Sequence, residues 1–474
     1  MNTNRDFIYL IFQRNLIVLP FFIILLCLKI NDINLPYFWD EAWSYIPAIK
    51  AMALKGPSLM PGSVAPELYR GHPLFFYFIA SLWIKIFGDS IWITRMLPLI
   101  ISFLLMYSMY ILIKNVFNYK TAFFTLLFFT IQSIFIAQST FLLPETLLAL
   151  FTVLSFNSFI TGKKYYTAIW LTLAVFTKES GFIILFSITC FEVWNSIKKH
   201  SKIIGLVKSS FYLFIPYVLI SVFFVLQRIK TGWFLFPQHL NFISITEFVN
   251  KFSGYSTYIF VFMGRNLLTF AGITCIIFLL IKRNKEFGSK KNNILYFTVF
   301  IILYLIFSAL NFYSPRYVLS VFPFIIALFI HAIIISLKTK RIFFFVVIVL
   351  LLLNNVWFTF HDMRSNDHNL GYRDMVRVHM KMVSYCEEND MYEKNIFAPF
   401  LMHKNLTNAD LGYLSKKSTF KNVKSNIDST TEYVLLSNID AEKIYYGQIK
   451  NFNGVLLKRF NQKKCWAEIY FIEH

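Results

Sequence analysis

The fold class follows from one apolar stretch, residues 317–337, which reads YVLSVFPFIIALFIHAIIISL. It holds no Asp, Glu, Lys or Arg and has the ~20-residue length that a membrane-crossing helix needs. Similar stretches recur along the first 360 of the 474 residues. Hydrophobic residues make up 57% of the chain and charged residues 15%, which leaves too little polar surface for a soluble protein. The composition predicts an all-α polytopic membrane protein, and it excludes disordered, collagen-like and disulfide-scaffold classes.

The net charge of +21 is distributed unevenly along the chain. Residues 361–474 carry 16 Lys/Arg and 14 Asp/Glu, a difference of +2, whereas residues 1–360 carry the remaining 30 basic and 11 acidic side chains, a difference of +19. The basic excess lies between apolar segments, where Lys and Arg set the orientation of membrane proteins and contact anionic headgroups. Nucleic-acid binding is therefore not expected.

The Lys/Arg content of the connections alternates along the chain, and this alternation predicts about eleven spans, within a range of 10 to 13. It places the N-terminus in the cytoplasm and the C-terminal domain outside it. Residues 73–88 are predicted as a re-entrant or interfacial helix, and residues 177–180 as the tip of a short hairpin. The predicted spans are 8–30, 92–113, 121–138, 146–160, 167–176, 181–195, 211–226, 258–281, 294–310, 317–337 and 342–360.

The chain divides into a membrane domain, residues 1–360, and a polar C-terminal domain, residues 361–474. The membrane domain includes an external loop of about 60 residues at 31–91, which is too long for a simple connector. The C-terminal domain is predicted to be a small extracytoplasmic α+β unit, and Cys386 and Cys465 could form a disulfide there. Its predicted elements are a helix at 372–389 and strands at 395–401, 432–436, 455–460 and 466–472, the last two joined as a hairpin.

The external loop supplies the first candidate site residues. Asp40 and Glu41 stand among aromatic residues at the predicted membrane edge, where a carboxylate can exchange protons near neutral pH. They could equally begin an interfacial helix, because acidic residues are favoured at helix N-termini. Arg70 and His72, near the end of the loop, could bind an anionic headgroup or act as ordinary interfacial anchors.

Three further candidates lie at external ends of predicted spans. Glu145 follows a proline, which ordinary helix-start chemistry also explains. Lys178 lies at the tip of the short hairpin, where a charged residue usually faces a polar cavity. Arg316 lies on the outer face, against the positive-inside trend, and a lipid phosphate is a natural partner for it. Together these residues suit an enzyme in which a carboxylate removes an acceptor proton while cations stabilise a departing phosphate. No residues are assigned to a metal, and a divalent cation as cofactor is left open.

The order of short motifs resembles that of the dolichyl-phosphate-mannose protein mannosyltransferase and aminoarabinose lipid A transferase group, which are C-type (GT-C) glycosyltransferases. The resemblance extends over about residues 8–340. The motifs are WDEAW at 39–43, RGHPLFFY at 70–77, FG at 87–88, RMLP at 95–98, LPE at 143–145, FTKE at 176–179, RYVL at 316–319 and FP at 322–323.

The resemblance implies transfer of a sugar from a polyprenyl-phosphate carrier to an acceptor on the non-cytoplasmic side. It implies that Asp40 is the general base, that inversion follows from a single displacement, and that Glu145 occupies the position of a second acid. Lys178 and Arg316 match cations near the donor phosphate. His72 stands where aminoarabinose transferases commonly carry Lys.

The predicted partners are thus a polyprenyl-phosphate-linked sugar, the lipid bilayer, and an envelope lipid, glycan or protein as acceptor. The favoured location is a bacterial inner membrane. Two other functions fit a polytopic chain with a large external loop. One is a lipid or oligosaccharide transporter, for which inverted repeats would be expected. The other is a polymerase or ligase of lipid-linked oligosaccharides.

Overall fold

Helices form most of the chain before residue 361, because a chain in a bilayer must satisfy its backbone N–H and C=O groups within each segment. A computed structural model describes residues 15–199, 209–361, 366–416 and 418–473. Its membrane-domain helices are α1 Val18–Lys29, α2 Ile46–Lys55, α3 Pro66–Tyr69, α4 Phe75–Phe87, α5 Ile91–Val116, α6 Tyr119–Thr130, α7 Ser133–Gln138, α8 Glu145–Ile160, α9 Lys164–Thr177, α10 Gly181–Lys199, α11 Phe214–Thr231, α12 Pro237–Leu240, α13 Phe248–Phe260, α14 Arg265–Ile281, α15 Lys285–Gly288, α16 Lys291–Leu310, α17 Phe322–Ser336 and α18 Arg341–His361.

Among the described residues, six helical segments are long and apolar enough to cross a membrane, or seven if the bent pair α13 and α14 is one span. The axes of that pair differ by 89°. These findings confirm the predicted class of an all-α polytopic membrane protein. The six segments are Ile91–Val116, Gly181–Lys198, Phe211–Thr231, Lys291–Leu310, Pro315–Ser336 and Arg341–His361.

Several predicted spans have different boundaries in the structure. The segment predicted at 121–138 is broken into α6 and α7, and the one at 258–281 bends before α14, where Gly264 has a φ of +73°. Helices α8 and α9 match predicted spans but have only 16 and 14 residues. Apolar composition locates such segments, but it does not show where the chain breaks within them. Residues 8–14 of the first predicted span lie outside the described residues.

The segment predicted as a re-entrant or interfacial helix is α4, a helix of 13 residues. At 1.5 Å per residue it is about 20 Å long, which is shorter than the ~30 Å hydrocarbon core of a bilayer. The predicted hairpin tip is also present as the connection between α9 and α10, although α10 continues to Lys199 instead of ending near 195.

The elements of the C-terminal part are α19 Tyr372–Glu388, β1 Ile396–Phe397, α20 Phe400–Thr407, β2 Val423–Lys424, β3 Tyr433–Ser437, α21 Lys443–Asn451, β4 Gly454–Gln462 and β5 Cys465–Ile472. The strands form a five-stranded sheet with the order β2-β1-β3-β5-β4. Strand β1 is parallel to β2 and β3, while β3, β5 and β4 are antiparallel neighbours. The predicted helix and final hairpin are present, and the predicted strand at 395–401 is short because helix α20 begins at Phe400.

The two cysteines of this part do not bond to each other in the described structure. Cys386 is buried in α19, and the Cys465 thiol lies 3.8 Å from the carbonyl oxygen of Gly371.

One hydrophobic core runs from the membrane helices into the C-terminal part. Tyr372, the first residue of α19, packs against Phe38 and Phe141 with ring centroids 6.4 and 4.7 Å away. Its hydroxyl accepts a hydrogen bond from Lys29 Nζ at 2.6 Å and donates one to Asp32 at 3.1 Å. The C-terminal part therefore packs directly on the loop that carries the first site motif.

Candidate active site

Glu41 anchors the start of the loop at residues 31–91. Its side chain is fully buried and accepts hydrogen bonds from the backbone N–H groups of Leu142 (2.8 Å) and Phe38 (3.3 Å). It also pairs with Arg95, a buried residue of α5 whose guanidinium donates to the carbonyl oxygen of Thr140. These contacts fix the short π-helical turn Glu41–Tyr45 and leave Glu41 outside the cavity lining. Its position suits an anchoring role, not contact with substrate.

Asp40 precedes this turn and faces a cavity. Its Oδ1 accepts a hydrogen bond from Trp43 Nε1 at 2.9 Å, and its Oδ2 contacts Arg316. The side chain is 24% exposed. The carboxylate is thus oriented by two donors while it remains accessible from the cavity.

Arg316 joins three carboxylates at the floor of the same cavity. It lies in the 3₁₀ segment Pro315–Val321 that leads into α17, and it is 3% exposed. Its Nη2 contacts Asp40, its Nη1 contacts Asp367, and its Nε donates to Glu145 Oε1 at 3.2 Å. Burial alone would raise the pKa of Asp367, but the adjacent Arg316 guanidinium lowers this pKa to about 2. A guanidinium so surrounded has a fixed orientation.

Lys178 completes this network from the α9–α10 connection. Its Nζ lies 2.7 Å from Glu145 Oε1 and 3.5 Å from the centroid of the Tyr317 ring. Glu145, the first residue of α8, is almost fully buried between the two cations. It therefore acts as a buried counter-ion and does not line the cavity that Asp40 faces.

His72 and Arg70 also line this cavity. His72 Nδ1 is 2.8 Å from both carboxylate oxygens of Glu179, and the His72 ring lies 5.2 Å from that of His239. Burial alone would raise the pKa of Glu179, but the neighbouring His72 lowers this pKa to about 2. The Arg70 guanidinium lies 3.8 Å from the centre of the Trp43 ring.

Two adjoining cavities meet at this site. The first, here named the polar cavity, has a volume of about 490 Å³ and contains Asp40, Arg70 and Arg316 in its wall. The second, the apolar cavity, measures about 580 Å³ and contains Lys178 and Glu179. Residues that line both are His72, His239, Phe242, Phe312 and Tyr317.

Five of the predicted residues lie close together in the structure. Asp40, Glu145 and Arg316 form one contact network with Lys178, and His72 lies at the junction of the two cavities. Arg70, also predicted, lines the polar cavity.

Sequence reasoning missed three further residues of the site: His239, Asp367 and His368. Glu179 was recognised only together with Lys178, as adjacent opposite charges at the hairpin tip, and it received no role of its own. Asp367 and His368 are neighbours a few residues after α18, but the composition of the following tail obscured them. His239 lies in a loop whose sequence carries no motif.

No group of three or more His, Cys, Asp or Glu side chains within the described ranges is arranged to hold a metal ion.

Residues 71–226 match the model of a family described as dolichyl-phosphate-mannose-protein mannosyltransferase. No curated protein matches the sequence. The structure is similar to that of ArnT from Cupriavidus metallidurans bound to undecaprenyl phosphate, with a TM-score of 0.54 at 12% identity over 95% of this chain and 97% of that one.

It is also similar to AglB, the oligosaccharyltransferase of Archaeoglobus fulgidus, in complex with an inhibitory peptide and a dolichol-phosphate. There the TM-score is 0.52 at 13% identity over 95% of this chain and 73% of that one. The apo form of the oligosaccharyltransferase gives a TM-score of 0.53 at 13% identity over 89% and 69% of the two chains. The resemblance predicted from the motifs is therefore confirmed: this is an integral membrane protein with the fold of GT-C glycosyltransferases.

Proposed function

We propose that the protein transfers a monosaccharide from a polyprenyl-phosphate carrier to a cell-envelope acceptor. The observation that carries the proposal is the position of Arg316, which contacts Asp40 at the floor of the polar cavity and shares Glu145 with Lys178. A carboxylate and two cations are thereby held within one network, as proton removal and phosphate departure require.

The proposed reaction is a single displacement with Asp40 as general base. Asp40 takes the proton of an acceptor hydroxyl while the hydroxyl oxygen forms a bond to the anomeric carbon of the sugar. The bond between that carbon and the phosphate oxygen breaks, and polyprenyl phosphate leaves with the electron pair. Since attack and departure occur on opposite sides, the anomeric configuration inverts. Glu41 and Glu145 support this chemistry by fixing the loop and the cations.

The donor is proposed to lie across both cavities. The apolar cavity is lined by Phe182, Phe224 and other large apolar side chains, which suit an isoprenoid tail. Lys178, Arg316, His72 and Arg70 surround the point where the tail would give way to a phosphate. The similar ArnT structure holds undecaprenyl phosphate and the AglB structure holds a dolichol-phosphate, which supports a lipid-phosphate donor here.

The acceptor is proposed to be an envelope lipid, glycan or protein on the non-cytoplasmic face, and the membrane to be a bacterial inner membrane. The excess of Lys and Arg in the connections at the opposite end of the bundle supports this orientation.

The test compares envelope lipids and glycans by mass spectrometry in cells that lack the gene and in cells complemented with variants. Wild-type protein should restore one sugar-modified species, and Asp40→Asn should fail to restore it because the amide cannot accept the proton. Glu67→Gln is the matched control, because Glu67 lies in the same loop but is exposed. Full restoration by Asp40→Asn at equal membrane levels would rule out the base assignment.

The same material distinguishes the two other candidate functions. A transporter would move labelled lipid across proteoliposomes without any new glycosidic product. A polymerase or ligase would produce species whose masses differ by an oligosaccharide instead of one sugar. The AglB-like fold makes the second comparison necessary, since that protein is an oligosaccharyltransferase.

A further inference from the structure

His239 lies at the junction of the two cavities and plays no part in the chemistry described above. The short helix α12 positions it in the loop after α11, and its ring lies 5.2 Å from that of His72. Both rings line both cavities. A donor with its tail in the apolar cavity and its sugar in the polar cavity would place its phosphate against these two rings.

The titratable and charged groups that face His239 are His72 and Arg70 from one loop and Lys178 and Glu179 from the α9–α10 connection. His72 Nδ1–H donates a hydrogen bond to the Glu179 carboxylate at 2.8 Å, and this leaves Nε2 as the ring nitrogen that is free to contact a ligand. Burial, together with the neighbouring His72, lowers the pKa of His239 to about 4. His239 is therefore neutral at pH 7 while no anion is bound.

The transfer changes the charge of the lipid phosphate. In the donor the phosphate is a diester with one negative charge and no further proton to exchange. After transfer it is a monoester whose second ionisation has a pKa of about 6, so that it is largely a dianion at neutral pH. A neutral imidazole beside a dianion can take up a proton from solvent. The resulting imidazolium then donates a charge-assisted hydrogen bond to the dianion.

We propose that His239, with His72 and Glu179, forms a proton-exchange site that recognises the phosphate monoester of the released polyprenyl phosphate in preference to the phosphodiester of the donor. This inference rests on the proposed function and extends it to the step after transfer. The proton comes from solvent when the monoester occupies the site and returns to solvent when the lipid leaves. Product release is then faster at higher pH.

The test measures binding of undecaprenyl phosphate to the purified full-length protein in detergent at pH 6, 7 and 8. The monomethyl ester of undecaprenyl phosphate serves as the phosphodiester probe. One proton taken up on binding makes the affinity for the monoester rise up to about tenfold from pH 8 to pH 7, and less between pH 7 and pH 6 as the free phosphate itself becomes protonated. Affinity for the methyl ester should not change over this range.

His239→Asn and His239→Gln should abolish this pH dependence while they retain binding of the methyl ester, which shows that the site is folded. His361→Asn is the control, because His361 is an exposed histidine at the end of α18. A pH dependence that persists in both His239 variants, or that wild-type protein shows equally for the methyl ester, overturns the inference alone. Failure of wild-type protein to bind either lipid at any pH overturns the proposed carrier as well.

Discussion

At the scale of single residues, the site depends on one guanidinium that holds three carboxylates. Arg316 contacts Asp40, Glu145 and Asp367, each through a different nitrogen. Asp40 and Asp367 come from segments that are far apart in sequence, so this one side chain joins the loop at residues 31–91 to the segment after α18. A planar fork holds its donors in fixed directions, whereas the three donors of an ammonium group rotate about one flexible stem.

Replacement of Arg316 by Lys should therefore preserve the charge but lose the geometry. We expect the rate of sugar transfer to fall by about 100-fold, because at least one oriented N–H group that would bind the phosphate of the lipid-linked sugar is removed. The measurement is the initial rate of sugar transfer by purified protein, normalised to folded protein from size-exclusion chromatography. Arg70→Lys serves as a comparison at the cavity wall, since the Arg70 guanidinium contacts Trp43 by lying over the face of the indole ring. Equal rates for Arg316→Lys and wild type would contradict a geometric role.

The Glu179–His72 pair predicts a dependence of stability on pH. The pKa of Glu179 is about 2 in the folded protein against an ordinary value of 4.5, so the unfolded chain binds more protons between these values. The contribution of the pair, at most about 3 kcal/mol, is complete above pH 4.5 and is lost as pH falls to 2. Glu179→Gln should thus lower the Tm clearly at pH 7 and much less at pH 3. A difference that stays constant between these pH values, measured in detergent, would show that the pair makes no such contribution.

At the scale of elements, the connection between α9 and α10 positions the cationic part of the site. The backbone N–H of Lys178 donates to the carbonyl oxygen of Ala174 at 3.3 Å, and Gly181 begins α10 immediately afterwards. A Cβ at Gly181 would lie 2.4 Å from that same carbonyl oxygen. The close approach of the two helix ends therefore requires a glycine at this position.

Gly181→Ala should force the helix ends apart and displace Lys178 from Glu145. We expect a loss of about 1–3 kcal/mol in stability, typical of overpacking against backbone, with weaker binding of undecaprenyl phosphate. Thermal unfolding and lipid binding are the two measurements. Gly288→Ala is the matched control, because a Cβ at Gly288 would meet no atom within 4 Å. If both variants behave like wild type, the turn tolerates a side chain and the argument from close approach is wrong.

The elements that the sequence predicted well are those with a strong local signal. Long apolar helices such as α5 and α18, and the hairpin of β4 and β5, were located to within a few residues. The break between α6 and α7 was missed because apolar composition is continuous across it. Asp40 and Arg316 could be assigned to the same side of the membrane from the Lys/Arg pattern, and the motif order agreed with this assignment. Asp367 could not be placed, because nothing local in the sequence links the C-terminal segment to the first loop.

At the scale of the whole molecule, the C-terminal part completes the cavity instead of standing apart from it. Asp367 and His368 line the polar cavity, and Phe400 of α20 packs edge-on against Trp43 with ring centroids 5.4 Å apart. Arg373, in the first turn of α19, secures this arrangement. It pairs with Asp32 at 2.6 Å and donates to the carbonyl oxygen of Leu28 at 2.8 Å.

Arg373→Ala should loosen this attachment without unfolding the membrane helices. The loss should be about 1–3 kcal/mol, because Asp32 is left buried with Lys29 as its remaining cation. Hydrogen exchange should then increase in the peptide that contains Asp367 and His368, and sugar transfer should fall with it because Arg316 loses a fixed partner. Arg377→Ala, one turn further along α19 and more exposed, should change neither quantity. Slow exchange and full transfer in Arg373→Ala would mean that the cavity wall is held by the hydrophobic core alone.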